Sequence, residues 1–182
     1  MIRFFFVLLL LILGAFLFQF YLPPVLPLEG APILLVPSLY FYGAVALPFP
    51  LMLALTVYTG LVHDLLTIPQ AGSRIEFPAG FSVLVYAVPG LVMHGLRPLF
   101  LRYRWLWHFF LAEVSAVLTP VLPAANYVIL SFARREFFYS DVIVWRILGP
   151  GLMSLVIAPC LFFILTPLAQ FLNYRPGLKS VS

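Results

Sequence analysis

Residues 4–22 read FFFVLLLLILGAFLFQFYL, a run without one Asp, Glu, Lys or Arg. About twenty such residues are what an α-helix needs to cross the hydrocarbon core of a bilayer. Arg3 in front of the run resembles the start of a secretion signal. The run is longer than a signal's apolar stretch, however, and no small-x-small cleavage site follows it. Pro23, Pro24 and Pro27 come instead, so the stretch reads as an uncleaved first helix.

The rest of the chain continues in kind. Of its 182 residues, 64% are hydrophobic and 9% charged, and the mean hydropathy is +1.11. A soluble domain carries roughly a quarter charged residues, so this chain could not keep a wetted surface. The apolar residues lie in long runs with the charges pushed into the gaps, which is the transmembrane pattern. The expectation is an all-α polytopic bundle, one integral membrane domain over 1–182. Six spans are placed at about 4–22, 32–47, 50–66, 77–96, 105–132 and 147–170. Merging 32–66 into one crossing would leave five spans, but its length and central prolines, Pro48 and Pro50, argue against that. Pro120 and Pro123 predict kinks in the fifth span. Residues 142–172 are too long for one upright crossing, so 142–146 is expected at the interface, with Gly149-Pro150-Gly151 as a helix-entry turn.

Net charge is +4, which in a soluble protein suggests nucleic acid. Here the basic residues read as topology signals, and no nucleic-acid partner is expected. With the N-terminus cytoplasmic, Arg3, Arg97, Arg102, Arg104, Arg175 and Lys179 face the cytoplasm. Arg74, Arg134 and Arg135 face outward. The excess predicts both termini inside, and Arg97, Arg102 and Arg104 are also placed to meet anionic lipid headgroups.

Chemistry-bearing residues within spans are few. Cys160 is alone and can form neither an internal disulfide nor a thiolate metal site; it reads as a small core residue. The histidines fit no metal-ligand spacing, and neither paired acids nor a phosphate-cradling glycine loop is present. No enzymatic activity, cofactor or metal is expected. A charge at mid-bilayer costs about 2.5–3.5 kcal/mol on insertion scales, so Asp64, Glu113 and Arg146 each need a reason. Asp64 and Arg146 are expected at one depth, as an ion pair joining helix three to helix six. Glu113 is either a buried carboxylate for an ion, substrate or partner, or an acid satisfied by His94 or a neighbouring arginine. Gly60 and Asp64 stand four apart on one helix face, with Thr56 and Thr59 continuing a small or polar stripe. That face serves either partner contact or ordinary close helix packing.

Leu39-Tyr40, Ala46-Leu47-Pro48, Gly60-x-x-x-Asp64-Leu65 and the following Gly72 together resemble the MreD family, the small membrane subunit of the bacterial rod-shape machinery. The likeness runs from about 32 to 72; length, six spans and the basic loop after the fourth helix extend it. His63, the prolines at 48–50 and the region after residue 100 depart from it. The resemblance implies a non-enzymatic scaffold in the bacterial inner membrane. Its partners would be an MreC-like protein and, through it, MreB filaments and peptidoglycan synthases that control cell shape. Partner binding is then expected around Gly60, Asp64 and the loop to Gly72. The rival expectation is a substrate-binding subunit of an energy-coupling-factor vitamin transporter, also a six-helix bundle of this size. That rival requires several polar groups converging on a pocket, and in the sequence such groups look sparse.

Overall fold

The structure is a computed structural model. It describes residues 1–67, 70–71, 74–75, 80–102, 107–135, 137 and 140–174. Gly72, Arg104, Arg175 and Lys179 lie outside the described residues. Among these residues eight α-helices follow in order: α1 (Ile2–Gln19), α2 (Val36–Ala46), α3 (Phe49–Thr67), α4 (Phe81–Gly95), α5 (Arg97–Arg102), α6 (Trp107–Leu118), α7 (Val121–Arg134) and α8 (Asp141–Phe171). A single 3-10 turn, Leu26–Leu28, lies between α1 and α2, and Gln70–Ala71 pairs antiparallel with Arg74–Ile75 after α3.

Among the described residues five segments are long and apolar enough to cross a membrane: Ile2–Gln19, Phe49–Thr67, Phe81–Leu99, Phe109–Phe132 and Asp141–Phe171. Large apolar side chains such as Leu10, Phe18, Leu84, Val88, Val117, Val156 and Ile164 are exposed around the outside. A monomer in water rarely shows so much contiguous apolar surface; in a bilayer that surface meets lipid tails. The chain is a multi-span membrane helix bundle. Phe4, in the first turn of α1, stacks on Tyr174 just beyond α8, with ring centroids 4.9 Å apart. The first and last helices therefore share one end of the bundle, as an even number of passes requires.

The sixth pass is α2, and it differs from the others. Every one of its eleven residues is buried, and its length of about 16 Å falls short of the hydrocarbon core. Pro37 near its start and Leu47-Pro48 after its end confine it. A short helix inside a bundle exposes its free N–H and C=O groups where no water can satisfy them. Here other helices supply the partners. At the start, Gln19 Oε1 accepts from Leu35 N at 2.7 Å and Val36 N at 2.8 Å. At the end, His94 Nδ1 donates to Ala44 O at 2.8 Å, and Tyr174 Oη donates to Ala46 O at 2.5 Å. Burial pushes the Tyr174 phenol above its ordinary pKa, which keeps it the donor this contact needs.

The core radiates from α2. Tyr40 Oη donates to Tyr86 O at 2.9 Å and lies 2.8 Å from Thr56 Oγ1, tying α2 to α3 and α4. Its hydroxyl occupies the space a side chain at Gly90 would fill. Towards α8, Ser38 Oγ is 3.3 Å from Ser154 Oγ, which also accepts from Thr119 Oγ1 at 3.5 Å. Phe4, Leu8, Met52, Leu55, Met93 and Phe162 close the apolar core around these hydroxyls.

Several boundaries differ from expectation. The second span is only 36–46, because Leu35 and Val36 take their caps from Gln19. The kink expected at Pro120 is there, as a break between two helices at Thr119-Pro120 with Pro120 the N-cap of α7, whereas Pro123 lies within the first turn of α7. The last helix is continuous from Asp141, opened by Ser140 Oγ accepting from Ile143 N at 3.4 Å. It runs about 46 Å, well beyond the hydrocarbon core, so 142–146 belongs to the helix itself. Gly149-Pro150-Gly151 is not an entry turn but lies inside α8. Gly149 sits against Ala31, and Gly151 against Pro120 and the Ala116 carbonyl. Cys160 is exposed on the outside of α8 and is not a core residue.

Candidate functional site

At one end of the bundle, where α1 and α3 finish and α2 and α4 begin, polar side chains converge. The third helix ends in His63-Asp64, and its polar face turns towards α4. Asp64 Oδ2 accepts from Gly80 N at 2.6 Å and from Ser82 N at 3.2 Å. The carboxylate thereby satisfies free N–H groups at the start of α4 and sits at the positive end of its dipole. Gly80 has φ +101°, a left-handed conformation that bends the chain so its own N–H points at the acid. His63 Nδ1 lies 3.0 Å from Ser82 Oγ, 3.2 Å from Thr67 Oγ1 and 3.9 Å from Asp64 Oδ1.

One turn earlier, Gly60 meets the backbone of Val83: a Cβ there would fall 2.5 Å from Val83 N and Cα. Gly60 and Asp64 do share a helix face, and α4 of the same chain covers it. The face is therefore a packing surface that sets the α3–α4 separation, with Thr56 and Thr59 buried along it.

Asp64 forms no ion pair with Arg146. Among the described residues its one ionic neighbour is His63, and Arg146 is exposed on α8. The backbone amides of α4 have taken the role expected of the arginine. Glu113 is neither buried nor held by His94, whose Nδ1 is bound to Ala44 O. It projects from α6 on the outside of the bundle, exposed, with no partner among the described residues. Phe109, Phe110 and Val117 are exposed beside it at 56%, 55% and 74%. Of the basic residues, Arg97 and Arg102 lie in α5. Arg97 is half-buried, its Nε enclosed without a hydrogen-bond partner among the described residues.

Sequence reasoning missed the cleft beside Asp64. A space of about 400 Å³ is lined by Phe16, Gln19, Leu34, Val36, His63, Thr67, Tyr86, Leu122 and Asn126, among others. A second, of about 300 Å³, shares His63, Thr67 and Asn126 with it and adds Asp64, Ser82 and Leu130. Three polar side chains are thus common to both. Asn126 is the lone amide of the fifth span in the sequence, but its place beside the end of α3 follows from the packing of α7 against α4.

No protein-family model matches the chain, and no curated protein or solved structure is significantly similar to it. Fold and site define a class, a polytopic helical membrane protein with a polar cleft at one end. Function has to be argued from the residues.

Proposed function

We propose that the chain is a non-enzymatic membrane scaffold of the MreD type, holding an MreC-like partner in the bacterial inner membrane. Through that partner it would join the MreB-linked elongation complex and its peptidoglycan synthases. The motif residues support this reading in one respect: Tyr40, Gly60 and Asp64 all lie at contacts among α2, α3 and α4, as a shared fold would need. The observation that carries the scaffold role is Glu113. A carboxylate about 9 Å along α6 from Trp107, exposed between Phe109, Phe110 and Val117, is costly against lipid. A neighbouring transmembrane helix that presents a donor there removes the cost. The start of α1 and the end of α8 share one side, taken as cytoplasmic from the arginine count, which fits an adaptor working within the bilayer.

The test is co-purification of the full chain with its MreC-like neighbour from mildly solubilised membranes, together with cell morphology. Glu113→Leu should abolish recovery of the partner, and Glu113→Gln, which keeps hydrogen bonding, should retain most of it. Undiminished co-purification and rod shape in Glu113→Leu would overturn the contact. The rival transporter-subunit reading gains from the cleft, where polar groups converge more than the sequence suggested. Tight binding of a water-soluble vitamin by the purified chain would favour it.

A further inference from the structure

The cleft at the His63 end has a composition that selects its occupant. Its larger part is walled by Phe16, Ile33, Leu34 and Leu122, an apolar path for a hydrocarbon chain. Its smaller part carries His63, Asp64, Ser82 and Asn126, and among the described residues neither part is lined by an Arg or Lys. Two of the polar groups there are uncommitted. His63 uses Nδ1 for Ser82 and Thr67, which leaves Nε2 without a partner among the described residues. The half-buried Asn126 amide likewise has none. Among the described residues Asp64 supplies the only formal charge of the lining, and it is negative. Such a site repels a net anion, attracts an ammonium group, and offers an amide and hydroxyls to an adjacent phosphate ester.

We propose that this cleft binds one aminophospholipid of the leaflet at that end, its acyl chain along Phe16 and Leu122, its ammonium group by Asp64, and its phosphate by Asn126. About a third of the lining comes from α1 and α7, elements that otherwise meet little of each other, so the lipid would complete the packing at that end. The inference is independent of the scaffold reading and of Glu113, which lies on another face.

The test uses the full chain in phosphatidylcholine nanodiscs containing a trace of diazirine-acyl phosphatidylethanolamine or the matching phosphatidylglycerol. After photolysis, adducts are mapped by mass spectrometry. Phosphatidylethanolamine should label the Phe16–Phe20 and Leu122–Asn126 segments at least fivefold more than phosphatidylglycerol. Both should label the exterior residues Phe163 and Ile164 equally. Excess unlabelled phosphatidylethanolamine should suppress cleft labelling in the unaltered protein, and O-phosphoethanolamine should not. Asn126→Leu should reduce cleft labelling to the phosphatidylglycerol level. Equal labelling by the two headgroups, or no enrichment in the cleft, would overturn the site. Competition by O-phosphoethanolamine would replace the lipid with a small soluble ligand.

Discussion

The Asp64 carboxylate lies 2.6 Å from the Gly80 amide, so the end of α3 caps the beginning of α4. An acid inside a membrane span invites a functional explanation, and here much of the explanation is structural. The charge is met by N–H groups that α4 would otherwise leave open. The same contact aligns His63 with Ser82, and so builds the polar end of the cleft.

Asp64→Ala should therefore destabilise the bundle by about 1 kcal/mol, the usual worth of a helix cap. Asp64→Asn, which retains an acceptor, should lose less than half as much. Thermal unfolding of the two variants in the same detergent measures the difference. If alanine and asparagine melt together with the parent, the cap carries no stability.

Gln19 predicts a larger effect. Its side-chain oxygen serves two amides, Leu35 N and Val36 N, at the buried start of α2. Gln19→Leu leaves both donors unmet, and each buried unsatisfied group costs about 1–3 kcal/mol. Gln19→Glu keeps the acceptor and should restore most of that loss. A chemical denaturation series read by tryptophan fluorescence would rank the three proteins. The expected order is parent, glutamate variant, leucine variant.

The two glycines Gly60 and Gly14 give opposite expectations. At Gly60 a Cβ meets the Val83 backbone, which cannot rotate aside, so Gly60→Ala should cost about 1–3 kcal/mol. At Gly14 nothing lies within 4 Å of the added atom. Gly14→Ala should be neutral, or stabilise by up to about 1 kcal/mol through helix propensity. Parallel melts of the two single variants test both signs at once.

The helix-bundle architecture was legible in the sequence because lipid forces it: runs such as 4–22 have no other stable form. Breaks at Pro48 and Pro120 were legible too, since proline removes a donor wherever it stands. What the sequence concealed depends on which helices are neighbours. Asp64 could be seen to need a partner, but an arginine on α8 and an amide on α4 satisfy a carboxylate equally well on paper. Pro150 reads as a breaker, yet α8 continues through it, as spans can when adjacent helices fill the gap. Asn126 lines the cleft because α7 packs against α4, a neighbour relation that no periodicity encodes.

Cys160 provides a direct check of the last span. It lies near the middle of α8 and is exposed on the outside of the bundle, so lipid rather than water should surround it. In sealed vesicles a membrane-soluble maleimide should label it, and a charged, impermeant maleimide should leave it unlabelled from either side. Unfolding in sodium dodecyl sulfate should remove the selectivity. Rapid labelling by the charged reagent in intact vesicles would place Cys160 at an aqueous surface and require a different path for α8.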